Sequence, residues 1–429
     1  MLRIFTKFQE LKVELSRANV FKNSIYVTIS KVISSLMNLV FMVYAVNLLS
    51  KAENGQFQYY LGFFPVILAL AEFGLPSALV KYMAPSTDDP EQVGKLLISS
   101  LVLKIYALII LLILGIALFL FVHENILIIV LLILGGFIAS FASYFESILV
   151  SFRNYSALAV WNPLPNFIRL CCLIGFSNMG EDAIGYIDIL GIYCIAPLYV
   201  IGIFFFISYK EKLQWRSNFK DTLLDQKKLA IFNSWSLLAS IFAIISDRLE
   251  IFFLKYYHGS EAVAEYGTTL QLFSGFVIIL SVLNSLIYPK LSRIVDSPEF
   301  KGFLIKSILA GSLLALVFSP GFFLGRVIMD LLFKGNYSNS VPIFHLLYPN
   351  YMLQLVFAPL GMALFAMGLP RLLSILALLR LVFGIVLDNL LIPEFSTQGA
   401  AISLFLGQLV SWLLLVGYFL AYFRNKESN

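Results

Sequence analysis

The chain has 429 residues, 60% of them hydrophobic and 13% charged, with a formal net charge of +5. A mean hydropathy of +0.88 excludes a soluble globular domain and makes this a multi-pass membrane protein. The basic excess lies mostly in short segments between apolar runs, so it does not mark a nucleic-acid partner.

Residues 1–21 are too charged for a cleavable signal peptide. Ile4, Phe8, Leu11 and Leu15 share a helical face flanked by Arg3, Lys7, Lys12 and Arg17, which suits a short helix on the cytoplasmic membrane surface, or a basic tail. Apolar runs of about 20 residues, enough to cross a hydrocarbon core of about 30 Å as helix, then recur to the end of the chain. All-α architecture with twelve spans is expected, at 24–48, 58–80, 96–121, 126–150, 157–177, 186–209, 230–254, 266–288, 303–325, 342–367, 371–392 and 398–423. With the N-terminus inside, the cytoplasmic segments hold 21 Lys and Arg and the outer segments only Lys51, Lys255 and Lys334. That asymmetry puts both termini in the cytoplasm. The polar stretch 210–228 is the longest connection, and it joins an N-terminal six-helix half (22–209) to a C-terminal one (229–423), followed by a cytoplasmic tail (424–429).

The first span carries Ser24, Thr28, Lys31, Ser35 and Asn38 on one helical stripe. The seventh repeats the design: Asn233, Ser236, Ser240, Asp247 and Glu250 line one face of an otherwise apolar helix. A single shift of 209 residues maps Ser24 onto Asn233, Lys31 onto Ser240, Asn38 onto Asp247 and Phe57 onto Tyr266, half the chain apart. Such internal duplication is common in transporters. Six basic residues lie inside spans: Lys31, Lys104, Arg169, Arg248, Arg326 and Arg380. Each costs about 2.5–3.5 kcal/mol to insert, so the default reading is functional. Arg326, near a span end, can snorkel, and so can Lys104. Glu72, Glu146, Asp188 and Asp388 serve first as counter-charges, and Tyr59-Tyr60 and Tyr256-Tyr257 as interface anchors. Prolines predict breaks in the fifth span at Asn162-Pro163-Leu164-Pro165-Asn166 and in the tenth at Pro349 and Pro359. Cys171, Cys172, Cys194 and the three histidines have no metal-ligand spacing, so no metal or cofactor is expected.

Several motifs resemble those of the Wzx-type polysaccharide flippases, in the superfamily that also holds the multidrug and toxin extrusion transporters and the lipid II flippases. They are Leu48-Leu49-Ser50-Lys51-Ala52-Glu53-Asn54-Gly55-Gln56-Phe57 and Glu72-Phe73-Gly74-Leu75-Pro76-Ser77-Ala78-Leu79-Val80-Lys81-Tyr82. In the second half they are Asp247-Arg248-Leu249, Ala262-Val263-Ala264-Glu265-Tyr266 and Tyr288-Pro289-Lys290-Leu291-Ser292. Glu265 stands where the family usually has a glycine, and twelve spans fit the polysaccharide branch better than the fourteen typical of the lipid II branch. The resemblance implies two six-helix bundles forming a V around a central cavity in the bacterial inner membrane. It implies, as substrate, an oligosaccharide on undecaprenyl pyrophosphate, moved to the periplasmic leaflet and coupled to an H+ or Na+ gradient. Membrane lipid and other polysaccharide-assembly proteins are the implied partners, and no enzymatic step is expected.

Such a head group needs cations for its phosphates and polar side chains for its hydroxyls. The candidate substrate contacts are Lys31, Asn38, Lys104, Arg169, Arg248 and Arg380. The candidate ion-coupling carboxylates are Asp247, then Asp388 and Glu146. Two other readings stay open: a cation-coupled drug antiporter of the same fold, whose cavity would be acidic and aromatic, and a membrane polysaccharide polymerase or ligase, for which no large outer loop is present.

Overall fold

The computed structural model describes residues 26–122, 125–178, 184–210, 229 and 237–427. The N-terminal segment, the 210–228 connection beyond its first residue, and Ser24, Asn233 and Ser236 of the two stripes lie outside the described residues. The described chain is almost entirely helical, with no strand among the described residues. Ten helical segments are long and apolar enough to cross a membrane. Two of them, Leu237–Ile294 and Pro370–Lys426, have 58 and 57 residues, and each would be roughly 85 Å long if straight. Both contain a residue off the helical backbone, Gly259 (φ 79°) in the first and Ser396 (φ 47°) in the second. Twelve crossings, as expected from the sequence, require each of these two to fold back there as a pair.

The N-terminal half runs through α1 (Tyr26–Leu48), α2 (Lys51–Glu72), α3 (Leu75–Met83), α4 (Pro90–Val122), α5 (Ile126–Ser151), α6 (Tyr155–Trp161), α7 (Leu164–Ser177), α8 (Tyr186–Ile195) and α9 (Val200–Lys210). The C-terminal half comprises α10 (237–246), α11 (Leu249–Leu272), α12 (Ser274–Ile294), α13 (Glu299–Phe318), α14 (Gly325–Phe333), α15 (Val341–Ala366) and α16 (Pro370–Glu427). Each half buries its own apolar clusters, around Phe41, Phe57 and Tyr144 in the first and around Phe273, Leu347 and Trp412 in the second.

The halves meet through α2 and α11, the most extensive helix pairing among the described residues. Gly55 makes it possible: a Cβ there would overlap the carbonyl of Ser260, so only glycine lets the backbones approach this closely. A polar ladder runs down the seam. Lys51 pairs with Glu265 at 2.5 Å, Asn54 donates to Thr268 (2.8 Å) and to Tyr337 (2.7 Å), and Gln271 donates to Gln58 (2.8 Å). Asn47 adds a bond to the Leu332 carbonyl at 2.8 Å. Val46, Ala264, Met329 and Phe333 fill the space beside it. Tyr59 belongs here too, packed edge-on against Phe252, whereas Tyr60 is buried in the N-terminal half and stacked on Tyr186; neither serves as an interface anchor. Tyr256 is 81% exposed. On the topology read from the basic residues, this seam closes the outer side.

The predicted break in the fifth span is present: α6 ends at Trp161 and α7 begins at Leu164. Its freed polar groups are met by α1, where Ser34 donates to the Asn162 carbonyl (2.8 Å) and accepts from Asn166 (3.0 Å). The tenth span corrects the expectation. α15 is continuous, with Pro349 and Pro359 inside it. Gly311 of α13 packs directly against the Leu355 carbonyl, which Pro359 cannot bond, and so supports the helix from outside. Asp188 is a helix cap and not a counter-charge, accepting from the Gly185 amide at 2.8 Å.

Lys104 also departs from expectation, because it does not snorkel. It is 1% exposed, and its ammonium donates to Ser140 Oγ (2.7 Å), the Ser140 carbonyl (3.2 Å) and the Ala71 carbonyl (3.5 Å), over the ring of Phe141. α2 stops one residue past Ala71, where Phe73 and Gly74 both take left-handed backbone. The ammonium therefore caps the negative end of a helix that stops inside the membrane.

Two outcomes follow from this packing. In a background without the three native cysteines, Gln58→Cys is expected to resist a membrane-impermeant maleimide applied outside. It should become reactive when Gly55→Leu wedges α2 from α11, and stay protected with Gly175→Leu, which enters open space. Equal labelling of all three would refute an outer seal at this seam. Lys104→Met is expected to lower stability in detergent by about 1–3 kcal/mol, the cost of unpaired buried acceptors. Lys31→Met, whose ion pair with Glu146 is half-exposed, should change it little. Equal losses in thermal denaturation would remove the structural role of Lys104.

Candidate functional site

Directly below the Gln58–Gln271 rung lies a cavity of about 270 Å³, lined from both halves. α1 contributes Asn38 and Met42, α2 Leu61 and Pro65, and α8 Tyr193. The C-terminal half contributes Asp247, Arg248, Gln271, Ser274, Asn350, Tyr351, Gln354, Arg380 and Gln408. Pro65 cannot bond the carbonyl of Leu61, and both residues line the wall, so the helix ladder is open beside the cavity.

The charged part of the wall is built by a break in span seven. The sequence suggested one continuous helix with Asp247 and Arg248 about 100° apart. Instead α10 ends at residue 246, Asp247 and Arg248 form a turn, and α11 starts at Leu249 with Arg248 (φ −123°, ψ −3°) at its N-cap. The turn lets two sequence neighbours face one space. Discontinuous helices with charged joints are a recurrent way to build a transport site in a membrane.

Arg380 of α16 reaches across to this joint and donates to Asp247 Oδ1 at 2.6 Å. Arg248 makes no side-chain hydrogen bond or ion pair among the described residues. The lining therefore holds two guanidinium groups and one carboxylate, a balance of one positive charge that belongs to Arg248.

The other predicted contacts lie elsewhere. Arg169 is one layer back, stacked on the outer face of Tyr193 with its guanidinium carbon 3.6 Å from the ring centroid, and bonded to Asn166 and the Tyr193 carbonyl. It stiffens a wall residue. Lys31 pairs with Glu146 at 3.5 Å, away from the lining, and Lys104 is enclosed in the N-terminal half. The structure thus brings together Asn38, Asp247, Arg248 and Arg380, and separates them from Lys31, Lys104, Arg169 and Glu146.

Asp388 occupies a second, drier place. It is fully buried beside the Ser403 hydroxyl, which is too far or too poorly aligned for a normal hydrogen bond, and Glu250 is 3% exposed; both carboxyl groups and the Tyr266 hydroxyl have oxygens without a hydrogen-bond partner. Asp388 and Glu250 are close enough to interact electrostatically. Two buried carboxyl groups with open oxygens cost several kcal/mol unless a proton or small cation joins them.

Sequence reading missed Glu250 as a site residue, although it sits on the same stripe as Asp247, three residues on. It also missed the amides. Asn350 and Gln354 stand one turn apart in an apolar span beside Pro349, a legible signal; Gln271 and Gln408 are isolated, and nothing local marks them.

Comparison with known proteins agrees with this architecture. Residues 20–295, more than half the chain, match the family model described as polysaccharide biosynthesis protein. A Shigella flexneri protein provisionally named as an O-antigen transporter is 26% identical over 192 residues, 44% of this chain and 46% of its own length; the chain thus spans less than half of that relative in the match. An uncharacterized membrane protein of Methanocaldococcus jannaschii is 24% identical over 423 residues, covering 90% of this chain and 80% of the relative. Among solved structures, an inward-facing multidrug resistance transporter of the MATE family superimposes with a TM-score of 0.67 at 14% identity, covering 91% of this chain and 94% of that one. The lipid II flippase MurJ, in an inward closed conformation, gives 0.65 at 14% identity, over 92% and 87%. At such identity these two likenesses establish a shared fold. The all-helical membrane architecture, its central cavity and the match over residues 20–295 agree, and the chain belongs to the polysaccharide biosynthesis protein family of multi-pass membrane proteins.

Proposed function

We propose that this protein moves an oligosaccharide carried on undecaprenyl pyrophosphate from the cytoplasmic to the periplasmic leaflet of a bacterial inner membrane, by alternating access coupled to H+ or Na+. The observation that carries the reading is Arg248: a guanidinium without an ion-pair partner among the described residues, held at a helix break inside an amide-lined cavity between the two halves. A pyrophosphate is the kind of group a guanidinium grips bidentately. The name given to the Shigella relative supports a polysaccharide cargo. The balance of charge disfavours a cavity for cationic drugs, which would be repelled by one net positive charge. No chemistry on the substrate is part of this proposal.

In this mechanism the cavity binds the head group while the outer seam of α2 and α11 is shut, and the lipid tail stays in the bilayer. Parting that seam exposes the cavity to the other side. Asp388 and Glu250 are the proposed coupling groups, in place of Asp247, whose charge is already matched by Arg380 at 2.6 Å, and Glu146, which is matched by Lys31. Their open oxygens take up the proton or cation, and α11 carries Glu250, Arg248 and half of the outer seam on one element.

In a strain deleted for the gene and complemented with variants, Arg248→Ala is expected to lower surface polysaccharide at least about tenfold at normal membrane levels of the protein, as loss of a charge-assisted contact predicts. The pair Asp247→Asn with Arg380→Gln should retain more export than either single change, because each single change strands a charge. Full complementation by Arg248→Ala would reject the reading. Coupling is tested in proteoliposomes: Asp388→Asn and Glu250→Gln should remove the stimulation of lipid-linked sugar transfer by an imposed proton or sodium gradient. Stimulation that persists in both variants would exclude this pair.

A further inference from the structure

The polar groups of the cavity wall carry information about the cargo itself. Five of them are side-chain amides, Asn38, Gln271, Asn350, Gln354 and Gln408, drawn from four stretches of chain. Asn350 is 5% exposed, and its Oδ1 has no hydrogen-bond partner. Gln271 gives one amide N–H to Gln58 at 2.8 Å, which leaves its second N–H and its carbonyl oxygen beside the cavity. Asp247 and the ladder-free carbonyl of Leu61 add further acceptors to the same wall. The unmet acceptors need O–H or N–H donors, and the amide N–H groups beside them need acceptors, a pairing that sugar hydroxyl and acetamido groups supply together. Tyr193, held flat by Arg169, and Tyr351, stacked on Phe273 at 4.5 Å and 2°, supply rigid aromatic surface beside these groups.

The charges point the same way. With Arg380 matched by Asp247, one uncompensated cation remains in the lining, and on the proposed function it serves the pyrophosphate. A sugar carboxylate entering beside it would lose its water without gaining a counter-charge. Amide N–H groups can bond it, but they do not offset the cost of burying a full charge.

We propose that the cavity selects lipid-linked glycans whose sugars nearest the pyrophosphate are uncharged and rich in hydroxyl or acetamido donors, with Asn350 as the specificity-determining residue. This rests on the flippase reading and narrows its substrate to neutral over acidic proximal sugars.

The test is binding to the full-length protein in nanodiscs, followed by native mass spectrometry. Three probes are compared: undecaprenyl pyrophosphate alone, the same lipid carrying one N-acetylhexosamine, and the same lipid carrying one hexuronic acid. The neutral glycolipid is expected to bind at least about tenfold tighter than the acidic one, the discrimination typical of an unmatched buried polar group. Asn350→Ala should weaken the neutral glycolipid about tenfold while leaving undecaprenyl pyrophosphate alone unchanged. Gln354→Leu, one turn along α15, should act in the same direction and stands in if Asn350→Ala does not fold. Equal or tighter binding of the acidic glycolipid overturns the inference while leaving a lipid-pyrophosphate flippase intact, as does an Asn350→Ala loss equal for all three probes. Failure of all three to bind folded protein overturns the inference together with the function it rests on.

Discussion

A charge placed in hydrocarbon must be matched, capped or given to a ligand, and the membrane-embedded part of this protein is organised by how six cations meet that demand. Arg380 is matched by Asp247 across the cavity, and Lys31 by Glu146. Lys104 spends its charge on carbonyls at the end of a broken helix. Arg169 lies on an aromatic face. Arg326, 79% exposed along its side chain, leans toward Asp330 at 3.8 Å one turn away. Arg248 alone faces the cavity with no such solution among the described residues, which makes it the natural contact for an anion.

The same demand governs the backbone. Every interruption of a helix inside the membrane frees carbonyl and amide groups that need partners. At Asn162 the partners are the serines of α1, and at Phe73 the partner is Lys104. At Asp247 and Arg248 the interruption faces the cavity, where a ligand can serve. Proline alone does not decide where a break falls: α15 runs on through Pro349 and Pro359, and at the second of these α13 packs Gly311 against the freed Leu355 carbonyl.

Much of this was legible in the sequence. Span length and hydrophobicity gave the all-helical membrane class, and the stripes on spans one and seven pointed to helices that border the cavity, through Asn38 and Asp247. The site was only partly legible, for a physical reason. Sequence shows that a cation sits at depth, but not which neighbour from another helix neutralises it. Lys31, Lys104 and Arg169 looked equivalent to Arg248 until partners on other helices, 24 to 115 residues away in sequence, came into contact. The break at Asp247 was hidden because nothing there is glycine or proline. The amides were overlooked because a single Gln in an apolar span is as often a helix-packing group as a ligand contact.

These features converge on α11. At its start it holds Arg248 in the cavity. Two residues on, Glu250 turns away into the dry pocket with Asp388. The next turn, with Ile251 and Phe252, rests on Gly62 of α2, and beyond Gly259 the same element returns to carry Glu265, Thr268 and Gln271 on the outer seam. The two arms of α11, before and after Gly259, both pack on α2, the first at Gly62 and the second along the seam, so a shift of the first arm reaches the second through that packing. Neutralising Glu250 and Asp388, in the proposed cycle, changes how tightly the start of α11 is held by α16, and the seam with α2 is the interface that must give. In the proposed cycle the cavity, the Asp388–Glu250 pocket and the seam meet on the two arms of α11, and a ligand on Arg248 acts on the same arm as an ion on Glu250. On that proposal, reciprocal coupling between cargo and ion needs no separate relay between the two sites.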